Sequence, residues 1–163
     1  MLRRTLLSSA AVALVAALTA AASPSFLKWP AWISIESPVN PYDATTRSAL
    51  LLVHAQFREG NARLADLNGT AEGLVNGARR RVPLHFDSTS HLNVFGLRRQ
   101  WPTEGTWLLR INLRTTTALV SLGKDGNVAS TRIPMENARD GMSLPRGVST
   151  KDVDSMLADA AKR

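Results

Sequence analysis

The chain of 163 residues has no cysteine, one tyrosine and only three histidines. Without cysteine there are no disulfides, no thiolate chemistry, no cysteine-ligated metal and no lipid anchor on a cysteine, so stability must come from packing. The nucleophile elbow of the common serine hydrolases is missing as well: there is no G-x-S-x-G. Asp87-Ser88-Thr89-Ser90-His91 holds the residue types of a serine-hydrolase triad. Nucleophile, base and orienter normally converge from separate elements, so neighbours in one loop read as a polar turn. No repeat with a period of about 20 to 50 residues signals a solenoid or propeller. Nothing calls for a cofactor, and the chain reads as non-enzymatic.

What is present begins with an address. Leu6 to Ala22 is apolar and alanine-rich, follows Arg3 and Arg4, and ends in Ala20-Ala21-Ala22-Ser23. A charged start, an apolar run and an A-x-A site describe a signal peptide over residues 1–22, cleaved before Ser23. An uncleaved anchor needs about 20 strongly apolar residues, and Ser8, Ser9 and Thr19 interrupt this run. The arginine pair also loosely resembles a twin-arginine signal, but no cofactor motif supplies a reason for folded export. The expected location is periplasmic or secreted. Loss of Arg3 and Arg4 leaves 18 basic against 13 acidic side chains, a formal +5. That charge is scattered among acids rather than gathered, which with export argues against nucleic acid as a partner.

The mature part is long enough for one domain with a sizeable core. From Trp32 to Ile133 short alternating runs are punctuated by turn residues, as in an all-β sandwich or barrel. Trp32–Glu36 alternates and stops at Ser37-Pro38-Val39-Asn40-Pro41. In the Ser48–Phe57 segment, Leu51, Val53, Ala55 and Phe57 share one face, which predicts a central, largely buried strand. Asn76-Gly77 between two runs predicts a two-residue type I′ hairpin. The register then sets Val75 opposite Ala78, Glu72 opposite Arg81, Ala71 opposite Val82, Asn68 opposite His85 and Leu67 opposite Phe86. Two residues dissent, Arg80 on the apolar face opposite Gly73 and Leu74 on the polar one. Glu72 and Arg81 are both expected at the surface, where an ion pair contributes under about 1 kcal/mol.

Further on, Asn93–Trp101 reads as a strand that Pro102-Thr103-Glu104-Gly105 turns back into Thr106–Arg114, one face core and the other mostly solvent. Asp125-Gly126 joins Ala118–Leu122 to Val128–Ile133. Residues 135–148 read as a linker. Over 149–163 a short amphipathic helix is expected: Ser149 caps it, Asp152 lies three residues on, and Val153, Met156, Leu157, Ala160 and Ala161 recur at helical spacing. Its apolar stripe is expected to dock on the chain's own domain, because a helix this short is marginal alone in water.

Val94-Phe95-Gly96-Leu97 followed by Trp101-Pro102-Thr103-Glu104-Gly105-Thr106-Trp107 is similar to a hairpin frequent near the end of exported immunoglobulin-like domains. At fold level, residues 30–134 resemble the YtkA-like and copper-resistance CopC-like kind. The resemblance implies an immunoglobulin-like antiparallel β-sandwich over residues 23–134. Copper-resistance domains of this type bind metal through an N-terminal histidine, which the expected start Ser23-Pro24-Ser25 lacks.

Two candidate sites follow. Arg79, Arg81 and Arg98 offer a basic patch for an anionic ligand or an acidic envelope protein, against the plainer reading of a solvated strand face. His54, His85 and His91, with Met135 or Met142, are the residues a metal-handling protein would use, although no spacing rule draws them together. Phe26, Leu27, Trp29 and Trp32 allow peripheral membrane contact, with packing at the start of the first strand the simpler expectation. Asn68-Gly69-Thr70 matches a glycosylation acceptor but falls in mid-strand. The function expected is a binding or accessory module of the cell envelope, with periplasmic metal handling as the alternative.

Overall fold

Alternating side chains around Leu51 and Trp107 sort onto two faces, and the chain folds into antiparallel sheets that share one apolar core. The computed structural model describes residues 31–57, 60–137 and 141–162; the leader, its cleavage site and Phe26, Leu27 and Trp29 lie outside them. One sheet runs β1 (Trp32–Glu36), β2 (Leu51–Gln56), β6 (Val94–Leu97), β5 (Asp87–Ser88). The other runs β4 (Ala78–Pro83), β3 (Leu67–Val75), β7 (Thr106–Leu113), β8 (Thr116–Leu122), β9 (Val128–Arg132). Ile33, Leu51, Val53, Phe95 and Leu97 from the first meet Ala71, Trp107, Leu109, Ile111 and Val120 from the second. Each large side chain so buried contributes about 1.5–3 kcal/mol. No helix among the described residues is long and apolar enough to cross a membrane.

The Asn76-Gly77 hairpin forms as expected. Both residues have positive φ, 51° and 76°, as a type I′ turn requires. Val75 faces Ala78, Glu72 faces Arg81 and Ala71 faces Val82. The pairing runs only to Thr70 and Pro83, with one further bond from Leu84 N–H to Gly69 O at 3.0 Å. The expected facing of Leu67 with Phe86 and Asn68 with His85 is therefore not made. Pro83 donates no ladder bond, and past it Leu84 and Phe86 bury themselves while the chain crosses to form β5 in the other sheet.

Pro102–Gly105 does not close the expected hairpin either. β6 ends at Leu97 and pairs with β2 and β5, whereas β7 belongs to the second sheet. The connection bridges the two sheets, anchored by the buried Trp101 and Trp107. The strand that pairs beside β7 is instead β8, reached through Arg114-Thr115.

The outer face of β7 is not solvated as its alternation suggests. Leu108 and Leu119 are fully buried beneath α1 (Thr150–Ala161), whose Val153, Met156 and Leu157 cover them. Ser149 caps this helix in a reciprocal box with Asp152, so its own-domain docking and its start both match the sequence pattern. The segment read as a linker contains a small ribbon, β10 (Met135–Asn137) with β11 (Ser143–Pro145).

Candidate functional site

With α1 over one sheet, the outer face of the other is where a site can form. β1 and β2 pair with Ser34 opposite His54 and Glu36 opposite Leu52, and β6 places Val94 opposite His54. Paired residues point to the same face, so Glu36, Leu52, His54 and Val94 stand together on the side away from the core. His54 Nε2 lies 2.7 Å from Glu36 Oε2, with both side chains half-buried.

The loop between β1 and β2 folds over this face. Its turn is organised by Asp43, whose Oδ1 accepts from Thr45 N–H at 2.9 Å and from Thr45 Oγ1 at 2.7 Å. Asp43 Oδ2 lies 3.0 Å from His91 Nε2. The Thr45 hydroxyl, the Thr45 amide and then His91 all favour the anion and hold the Asp43 carboxyl well below the usual carboxylate range. His91 itself sits in the turn between β5 and β6, where its N–H donates to Thr89 Oγ1 at 3.1 Å and that hydroxyl donates to Val94 O at 2.8 Å. A contact of 3.2 Å between the Thr45 and Ser90 hydroxyls ties the two loops together.

Between these groups lies a cavity of about 350 Å³, lined by Glu36, Asn40, Asp43, Thr46, Leu52, His54, His91 and Val94. That is at the small end of ligand-sized pockets. Thr46 is buried on its wall, near enough to favour the Asp43 carboxylate, yet its Oγ1 makes no hydrogen bond of good geometry among the described residues.

The structure thus brings two of the three histidines to one cavity, although no spacing rule draws them together. His85 is elsewhere: its backbone N–H donates to Gln100 Oε1 at 2.8 Å and its carbonyl accepts from Gln100 Nε2 at 2.6 Å. Met135 and Met142 are exposed on the β10–β11 ribbon and do not line the cavity. Among the described residues no three histidine, aspartate or glutamate groups lie close enough to hold a metal ion.

The arginines are already engaged. Arg79 and Arg81 reach the same Glu72 oxygen at 3.0 and 3.3 Å, and Arg79 also pairs with Asp154 of α1. Glu72 is 2% exposed, which corrects the expectation of a surface pair: α1 and the arginines cover it. Glu72 is thus a buried carboxylate held by two arginines whose own side chains are 42% and 66% exposed. Arg98 pairs separately with Asp87 at 3.3 Å, in the other sheet. Trp32, expected to pack, stands 41% exposed on the outer face of β1.

Sequence reasoning reached His54 and His91 one by one but did not place Asp43 or Thr46. The β1–β2 pairing was the usable signal for His54 beside Glu36; the contact of His91 with Asp43 joins two loops and leaves no periodic trace. Compared with known protein families, curated proteins and solved structures, the chain matches none.

Proposed function

We propose that the protein is an exported, non-enzymatic binding or accessory module of the cell envelope, periplasmic or secreted, with a cleaved leader and an immunoglobulin-like β-sandwich. The observation that carries the reading is the open cavity on the outer sheet face, lined by Glu36, Asp43, His54 and His91 and by the apolar Leu52 and Val94. A binding site of this kind combines an apolar floor with a few oriented polar groups. The rings of His54 and His91 are each held by a carboxylate, Glu36 and Asp43, which orients the polar groups at the cavity wall. Arg79, Arg81 and Arg98, each held by an acid of this chain, are secondary candidates for an anionic ligand or an acidic partner.

Two measurements test this. Mass spectrometry of the exported product should find Ser23 at its start; a product that keeps Met1 converts the leader into an anchor. Thermal melts of the mature protein against small polar ligands should show stabilisation that follows RT ln(1 + [L]/Kd), about 2.7 kcal/mol at a hundredfold excess over Kd. That shift should vanish in His54→Phe, and a panel without any cavity-dependent shift would refute the binding reading. Copper and zinc belong in the panel, because His54 and His91 share the cavity: a metal-induced rise lost in both His54→Ala and His91→Ala favours the metal-handling alternative.

A further inference from the structure

We propose that the free edge of β4 takes an extended acidic segment of another protein as an added strand. This rests on the reading of the protein as a binding module and gives it a second surface, apart from the cavity.

The hairpin fixes which backbone groups are free. Hydrogen-bonded pairs alternate along an antiparallel ladder, and a two-residue turn is closed by one of them. Val75 with Ala78, Gly73 with Arg80 and Ala71 with Val82 are therefore the bonded pairs, and the bond from Leu84 N–H to Gly69 O continues the same series. Arg79, Arg81 and Pro83 lie between these pairs, so their backbone groups turn away from β3. β4 is the end of its sheet, all three residues are exposed, and no described residue bonds to their outward groups. The edge thus presents two N–H donors interleaved with three carbonyl acceptors. A polypeptide backbone satisfies both kinds, whereas a fully ionised phosphate chain has no donor for the carbonyls.

Side chains select the partner. Arg79 and Arg81 meet at Glu72 on the α1 side of the sheet, while Arg80 lies on the other side, exposed and without an ion pair to any described residue. Arg81 gives only Nη2 to Glu72, which leaves its other guanidinium donors free among the described residues. A strand laid on β4 therefore meets unspent guanidinium donors on both of its faces, at Arg80 and at Arg81, and carboxylates are the groups that match them. A second copy of this chain is the wrong occupant, because pairing β4 with β4 sets arginine against arginine. The other edges are less suited: Ile33 in β1 is 0% exposed, β5 has two residues, and β9 carries a single arginine.

The test is calorimetric titration of the mature full chain with the capped peptide acetyl-Thr-Val-Glu-Glu-Glu-Val-Thr-amide, read together with amide hydrogen exchange. The peptide should bind, and its counterpart with glutamine for every glutamate should bind at least tenfold more weakly. On binding, the Arg79 and Arg81 amides should exchange at least tenfold more slowly, while that of Arg80, already bonded to β3, should not change. N-methylation of alternate peptide amides should abolish binding in one phase and spare it in the other. Arg80→Glu, which leaves the Glu72 pairs intact, should weaken binding at least tenfold, and Arg132→Ala on β9 should leave it unchanged. Linear polyphosphate should compete at least tenfold more weakly than the peptide. No binding by wild type, equal binding of the glutamine peptide, unprotected Arg79 and Arg81 amides, or equal competition by polyphosphate overturns the proposal even if a variant misfolds. If the peptide fails while a ligand stabilises the protein through the cavity, the edge proposal falls and the binding module stands.

Discussion

At Gly73 an added Cβ would meet the Trp107 ring at 2.4 Å. That ring is buried, and its Nε1 donates to Glu104 O at 2.7 Å, so it cannot step aside. Gly73 pairs with Trp107 on one side and with Arg80 on the other, and Arg80 is exposed on the edge strand β4. Strand propensity alone would favour alanine over glycine by about 0.5–1 kcal/mol. Overpacking costs about 1–3 kcal/mol and wins. Gly73→Ala should therefore lower stability by about 1–2 kcal/mol in denaturant unfolding; a variant as stable as wild type would show that the ring is free to move. Arg114 follows a similar logic at a turn. It adopts φ 53° without being glycine, and its guanidinium stacks 4.3 Å from the Phe57 ring centroid while Nε reaches Asp66 Oδ1 at 3.3 Å.

Among the elements, α1 depends most on its context. Its amphipathic spacing and its cap specify a helix, but twelve residues do not hold one in water. Val153, Met156 and Leu157 supply the missing stabilisation by closing on Leu108 and Leu119. The Arg79–Asp154 pair is 42% and 52% exposed at its side chains and contributes at most about 1 kcal/mol. Leu157→Ala should then cost about 2–3 kcal/mol and Asp154→Ala under 1, both read from denaturant midpoints. Added salt should leave the helix docked. The reverse order of the two variants would make the attachment ionic.

For the whole molecule, acid is the informative stress. Asp43 and Asp152 are both held well below the ordinary carboxylate range, Asp43 mainly by Thr45 and Asp152 mainly by Arg146 and then Ser149. A depressed folded-state pKa stabilises above the unfolded value, and that contribution disappears as pH falls through the folded one. The melting temperature should therefore be insensitive to these groups above about pH 5 and fall steadily below about pH 4. Asp152→Asn should lower the neutral plateau, through loss of the Arg146 pair and the Ser149 cap, and shallow the acid limb. A melting temperature that stays level down to pH 2 would contradict the assignment.

Local chemistry settled several features from sequence alone. Asn-Gly requires two positive φ values and so fixes the β3–β4 turn and its register, and Ser149 with Asp152 fixes where α1 begins. Period-two alternation marked Leu51, Val53 and Ala55 as core. Tertiary structure decided whatever depended on distant partners. Which sheet β6 and β7 join was settled by Trp101 and Trp107 entering the common core, and Leu108 became buried because a helix about forty residues later lands on it. The cavity is the extreme case: Glu36 and His54 meet through strand pairing, but Asp43 and His91 meet through two loops. Periodicity records which way a side chain faces, and only the closed fold determines what stands across from it.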